Sequence, residues 1–140
     1  MNTWRLWAGC GLLAGLGALM PGAVWSAELD GSVPILCAMI AATECDRWGV
    51  CDPVDPAAAG LPPFVRVNVP QKSLEATDGS GRKSEINSFS LAKDQQRLLL
   101  QGGEQGRLWS LVIGQRSGEM TASILDHDGG FVVSGTCTLP

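Results

Sequence analysis

The chain has 140 residues, of which 45% are hydrophobic, and its 14 acidic and 10 basic side chains give a formal charge of −4 at pH 7. This length suits one domain with one core. Because an acidic chain without a basic cluster is a poor match for nucleic acid or for anionic membrane surfaces, we expect no nucleic-acid partner.

The N-terminal segment is typical of an export signal. A short basic stretch is followed by an uncharged apolar run that ends at Pro21, and this run is shorter than the roughly 20 apolar residues that span a bilayer. We predict a signal peptide over residues 1–26, cut after Ser26 or Ala27; the alternative is an uncleaved anchor. The predicted mature domain, residues 27–140, has nine basic and fourteen acidic side chains and a formal charge of −5. After cleavage it would have no stable membrane anchor, and we expect it in the periplasm or outside the cell.

The first mature segment, residues 34–44, permits two interpretations. Ser32 could cap a short helix with Pro34 in its first turn, since an alanine-rich run follows. The same residues could form a strand that runs into the next turn. We favour the strand.

Four cysteines remain after cleavage, and an oxidising compartment would pair them. Of the three possible connectivities we favour Cys45 with Cys51, because residues 46–50 can turn the chain back locally, and Cys37 with Cys137, which lie near the two ends of the mature chain. The spacings lack the close C-x-x-C pairs of zinc sites and of redox-active dithiols. We expect structural disulfides, no metal and no cofactor.

The sequence CDRWGVC, between Cys45 and Cys51, places Arg47 and Trp48 at the tip of a predicted disulfide-closed turn. Tryptophan and arginine are enriched where proteins contact partners, so both residues are candidates for a partner contact. The alternative for Trp48 is a structural role, with its ring covering the disulfide or packing on the end of the domain.

The rest of the chain is patterned as short strands. A proline-rich surface connection is predicted over residues 52–63, and beyond it apolar residues alternate between turn sequences rich in glycine and aspartate. The residues predicted to face the core in the last three strands are Trp109, Leu111, Ile113, Met120, Ala122, Ile124, Phe131, Val133, Gly135 and Cys137. We predict an all-β domain, an antiparallel meander of about seven or eight strands closed into a barrel and cross-linked by two disulfides; the alternative fold is a β-sandwich.

His127 is the single histidine and lies between Asp126 and Asp128 in the sequence LDHDGG. These three residues are weak candidates for a metal site or for acid–base chemistry. The same sequence is well suited to a hairpin turn, which is the interpretation we favour. We assign no catalytic residue.

The ordered series ILC, TEC, GVC, LPPFVRV, LLLQGGEQGRLWS, SGEMTASI and FVVSGTCT covers the mature chain. It resembles a family of small, uncharacterised secreted proteins of proteobacteria. The resemblance implies export and a compact β fold. That family has no established activity, so it transfers no functional residue to this chain.

Three functions are compatible with these features. The first is a non-catalytic binding module of the cell envelope that presents the CDRWGVC turn to an envelope protein or another envelope component. The second is a carrier that holds a small ligand inside the barrel. The third, which we favour least, is a hydrolase that uses the His127 turn.

Export and oxidation can be tested by intact-mass analysis of protein from its native host. We expect a mass corresponding to a chain that begins at residue 27 or 28, with no cysteine alkylated before a reductant is added and four alkylated afterwards. A chain that retains Met1 would contradict the predicted cleavage, and four thiols that react without reductant would contradict the predicted oxidation.

Overall fold

The computed structural model describes residues 27–140; the predicted signal peptide, residues 1–26, lies outside the described residues. Nine strands and a single-turn 3₁₀ helix, Lys93–Gln95, are formed. The strands are β1 (Ile35–Asp46), β2 (Cys51–Val54), β3 (Phe64–Asn68), β4 (Ser73–Ala76), β5 (Lys83–Ala92), β6 (Arg97–Glu104), β7 (Arg107–Gly114), β8 (Glu119–Asp126) and β9 (Gly129–Thr138). None of the helical structure in residues 27–140 is long and apolar enough to cross a membrane. The first mature segment is a strand, as favoured from the sequence.

The sheet closes because β1 pairs with β9 as well as with β3. Every strand except β2 belongs to the closed barrel of eight strands, and all pairings are antiparallel. At the closure the β1 backbone comes so near to β9 that a Cβ atom on Gly135 would lie 1.9 Å from the Ala38 carbonyl oxygen. Glycine is therefore required there. The predicted antiparallel barrel is confirmed over the alternative sandwich.

The barrel interior is filled by side chains from alternate positions of each strand, because successive side chains of a strand point to opposite faces. The predicted core face of the last three strands is confirmed. The buried apolar residues are Leu29, Ile35, Cys37, Ala42, Val65, Val67, Ile86, Leu98, Leu100, Leu111, Ile113, Met120, Ala122, Val133 and Cys137. Trp109, Ile124 and Phe131 pack against this cluster.

Trp109 fits into the barrel because its cross-strand partner is Gly102. A Cβ atom on Gly102 would lie 2.3 Å from the indole ring, so any larger residue would displace it. The indole Nε1–H donates to the Ser84 hydroxyl oxygen at 2.6 Å, and that hydroxyl donates to the carbonyl oxygen of Gly103 at 3.0 Å. The buried polar atoms of both side chains are thereby satisfied.

Both disulfides connect residues that lie directly opposite each other on adjacent strands. Cys37–Cys137 joins β1 to β9 inside the core, and Cys45–Cys51 joins β1 to β2 on the outer face. These are the pairings favoured from the sequence. Two disulfides are typical of a protein that folds in an oxidising environment outside the cytoplasm.

The up-and-down topology gives the barrel two different ends. The lower end contains the connections β3–β4, β5–β6 and β7–β8 and is covered by residues 27–34. In this cover Leu29 is buried, and its backbone N–H donates to the carbonyl oxygen of Gln115 at 3.0 Å. The upper end contains the connections β1–β2, β4–β5, β6–β7 and β8–β9.

The proline-rich segment is divided between a strand and a connection. Residues 52–54 belong to β2, and residues 55–63 cross to β3. The Asp55 carboxylate accepts hydrogen bonds from the backbone of Ala57 and Ala58, and the Arg82 guanidinium donates to the carbonyl oxygen of Gly60 at 2.8 Å. These contacts order the connection.

The two disulfides should differ in their contribution to stability. On the loop-entropy account, the Cys37–Cys137 loop contributes about 4.7 kcal/mol and the Cys45–Cys51 loop about 2.4 kcal/mol. We expect Cys37→Ala/Cys137→Ala to lower the free energy of unfolding by about twice as much as Cys45→Ala/Cys51→Ala, measured by urea denaturation. Equal losses in the two double variants would contradict this account.

Candidate functional site at the upper end of the barrel

The turn between β1 and β2 is fixed by its own backbone and by Asp46. The Asp46 carboxylate accepts hydrogen bonds from the backbone N–H groups of Trp48, at 2.8 Å, and Val50, at 3.0 Å. Gly49 has a φ of +82°, which glycine adopts without strain. With the Cys45–Cys51 disulfide directly below, these bonds leave the turn little freedom.

Trp48 lies at the tip of this turn with 82% of its surface exposed to solvent. The alternative interpretation, in which its ring covers the disulfide or packs on the barrel end, would require far more burial than this. Interface tryptophans characteristically combine a large apolar surface with few rotatable bonds. The structure therefore places this ring where a partner could contact it.

The turn between β8 and β9 lies beside the Trp48 turn, because Asp46 of β1 is paired with Gly129 of β9. The Arg47 guanidinium and the Asp128 carboxylate form an ion pair that connects the two turns. Asp128 also lies 2.9 Å from Nε2 of His127. All the sequence-predicted site residues except the core disulfide are thus brought to one end of the barrel.

Asp126 occupies the base of the second turn. Its carboxylate accepts a hydrogen bond from the backbone N–H of Asp128 at 2.8 Å and lies 3.6 Å from the Arg107 guanidinium. This geometry is that of an Asx turn at a hairpin connection, the interpretation favoured from the sequence.

Between the two turns lies an open groove of about 410 Å³. Leu125, Phe131 and Val132 supply its apolar lining, and Arg47 and His127 are among its polar groups. The remaining lining residues are Cys45, Asp46, Asp126, Gly129 and Gly130. Such a mixed surface can bury apolar groups of a partner while its margins form hydrogen bonds and ion pairs.

An apolar strip, which we call the outer rung, extends from the groove around the outside of the barrel. Leu108, Leu125, Gly130, Cys45 and Cys51 follow one another in register on β7, β8, β9, β1 and β2. Leu108 and Leu125 are both more than half exposed. Contiguous exposed apolar surface of this kind is a common feature of interaction sites.

Part of the outer rung is visible in the sequence as apolar residues at positions that strand alternation assigns to the outer face. Leu108 precedes the core residue Trp109, and Leu125 follows the core residue Ile124, so each strand has an apolar residue on its outer face. That these two residues are cross-strand partners depends on register, which the sequence does not show.

The chemistry available at this end is limited. The His127 side chain is 87% exposed, and its neighbour Asp128 is engaged with Arg47. Within residues 27–140, no group of three or more histidine, cysteine, aspartate or glutamate side chains is arranged to hold a metal ion. Two of the three candidate residues, Asp126 and Asp128, are engaged in the hydrogen bonds and ion pairs of the turn.

Carboxyl groups elsewhere are held ionised by their neighbours. A hydrogen bond from Lys83 lowers the pKa of Glu75, and one from the Ser80 side chain lowers the pKa of Asp78. A general acid at neutral pH needs a raised pKa, so neither carboxyl is suited to that role.

No family model matches the chain, and no match was found among curated proteins or solved structures. The resemblance to an uncharacterised secreted family stays a prediction.

The rigidity of the Trp48 turn can be tested through Asp46. Asp46→Ala removes the acceptor for two backbone N–H groups, and we expect a loss of about 1 kcal/mol in the free energy of unfolding. Amide hydrogen exchange at Trp48 and Val50 should accelerate by roughly fivefold. Asp46→Asn keeps a side-chain oxygen at this position and serves as the matched control. Unchanged exchange in Asp46→Ala would show that the carboxylate does not order the turn.

Proposed function

We propose that this protein is an exported, non-catalytic binding module of the cell envelope that contacts its partner through the upper end of the barrel. The observation that supports this most strongly is Trp48, 82% exposed on a turn held by a disulfide and by the Asp46 carboxylate. A preorganised aromatic side chain loses little conformational entropy on binding, which favours affinity.

The proposed contact surface extends from Trp48 and Arg47 across the groove to Leu125 and Leu108 of the outer rung. Tryptophan and arginine are the residues most enriched among those that dominate binding energy, and apolar neighbours that exclude water surround them in typical interfaces. The ion pairs of Arg47 with Asp128 and of Arg107 with Asp126 supply a polar margin.

The alternative function, a small-ligand carrier, receives less support from the barrel interior. A carrier would leave part of the barrel interior open, whereas aliphatic side chains occupy the interior here. Of the nine largest fully buried residues, eight are apolar. Ligand cavities typically measure about 300–1,000 Å³ and enclose most of their ligand. The groove of about 410 Å³ has a suitable size but is open to solvent at the barrel end. The hydrolase alternative would depend on the highly exposed His127.

A periplasmic or extracellular location is part of the proposal. It is supported by the apolar N-terminal run in the sequence and by the two disulfides. An envelope partner is the corresponding choice, since the protein would meet such a partner after export.

Affinity capture from envelope extracts tests the contact surface. We expect Trp48→Ala to weaken capture of the partner by roughly thirtyfold, the effect of losing a residue that contributes about 2 kcal/mol to binding. Phe64→Ala is the matched control, because it truncates another exposed aromatic residue on the barrel wall. Quantitative mass spectrometry of the captured proteins gives the measurement. If Trp48→Ala captures the same partners in the same amounts as Phe64→Ala, the proposed contact is wrong.

A further inference from the structure

The barrel wall is incomplete along the lower half of β5. β6 pairs with β5 down to Ala92, whereas the short strand β4 reaches only Lys83 to Glu85. On the side of β5 that faces β4, the last backbone hydrogen bond is donated by the Ile86 N–H to the Lys72 carbonyl oxygen at 2.9 Å. Within residues 27–140, no strand pairs with the free side of residues 88–92, which we call the open edge.

Phe89 shows the consequence of this gap. Its cross-strand partner is the buried residue Leu100, so its side chain points toward the inner face of the barrel. It is nevertheless 48% exposed. The inner face of a closed barrel is normally covered, and Phe89 is exposed here because the neighbouring strand position is empty.

The open edge lacks the features that normally prevent strands from pairing between molecules. Among such features are proline and charged side chains. The free edge of β2 has two of them, since Pro53 has no N–H to donate and Asp52 is charged. Residues 88–92 have the sequence SFSLA, without proline or charge.

We propose that the open edge binds a second copy of this chain, with residues 88–92 of the two protomers paired antiparallel about a twofold axis at Ser90. The segment is complementary to itself in this register. Phe89 of one protomer would lie opposite Leu91 of its partner on the inner face, and the two Ser90 side chains would face each other on the outer face. Apolar residues thereby meet apolar residues, and polar residues meet polar ones.

The paired segment has no charged side chain, since residues 88–92 have the sequence SFSLA. Two copies can therefore approach without opposing like charges, which would weaken a cross-strand pair. The contact is confined to these five residues, because Lys93–Gln95 form the 3₁₀ helix and Glu85 is paired with Ser73 of β4. The absence of charge and the self-complementary register favour a second copy as the occupant.

The expected dimer is weak. Five residues at about 3.4 Å each give a paired length of about 17 Å, and so short a contact buries less than the roughly 1,200 Å² typical of stable complexes. Dimerisation should therefore depend on concentration. The contact lies away from the upper end of the barrel and is independent of the proposed binding function.

Sedimentation equilibrium of the purified, oxidised protein, up to about 1 mM, tests the proposal. Ser90→Lys would place two lysine side chains directly opposite each other across the axis, with Cβ atoms about 5 Å apart, and we expect the dimer dissociation constant to rise by roughly fivefold. Ser134→Lys is the matched control, since it is also an exposed serine on an outer face but lies on β9, which has a strand on each side. It should leave the constant unchanged.

Mixing charge variants separates a direct contact from a general effect on the fold. An equimolar mixture of Ser90→Lys and Ser90→Asp should form heterodimers at least as readily as the wild-type protein forms homodimers, because opposite charges then face each other. A protein that is monomeric at about 1 mM, equal effects of the Ser90→Lys and Ser134→Lys changes, or the absence of rescue in the mixture would each overturn the proposal.

Discussion

The pairing of β1 with β9 determines the rest of this structure. It joins the first strand to the last over ten residue pairs and turns an open sheet into a barrel. Inside the barrel the Cys37–Cys137 disulfide lies on this seam, and outside it the same seam connects Leu125 and Gly130 to Cys45. Without this pairing, the turns of β1–β2 and β8–β9 would lie at opposite edges of a sheet.

Closure also gives the two ends of the barrel different roles. Residues 27–34 cover the lower end and bury Leu29, so that end contributes to the core. At the upper end, the turn between β1 and β2 is held by backbone hydrogen bonds to the Asp46 carboxylate and by the Cys45–Cys51 disulfide. The exposed ion pair of Arg47 with Asp128 adds little to stability, since such pairs typically contribute less than about 1 kcal/mol. Its main effect is to hold two neighbouring turns in a defined relation.

Much of the fold could be predicted because its determinants are local. Alternation along a strand specified the inner face from Trp109 to Cys137, and turn residues separated the strands. The cysteine pairing followed from one short loop and two residues near the mature ends. β2 was not predicted, because its proline and charged residues resemble a loop and only pairing with β1 makes it a strand.

The candidate site was only partly predictable, because it depends on which strands become neighbours. Trp48 and His127 were each recognised in a turn, but 79 positions separate them in sequence and only the pairing of Asp46 with Gly129 brings their turns together. The open edge of β5 likewise results from the length of β4, a property set by the register of several strands. Sequence periodicity contains no information of this kind.

The nested arrangement of the disulfides affects how the chain can oxidise during its synthesis. Cys45 and Cys51 lie within the loop that Cys37 and Cys137 close. Of the four disulfide-bonded cysteines, a chain made from its N-terminus presents three long before the fourth, so oxidation of these four in order of appearance would join Cys37 to Cys45. Thiol–disulfide exchange would then be needed to undo that bond. Early formation of the small hairpin removes both incorrect partners of Cys37, which can then wait as a free thiol until the last strand arrives.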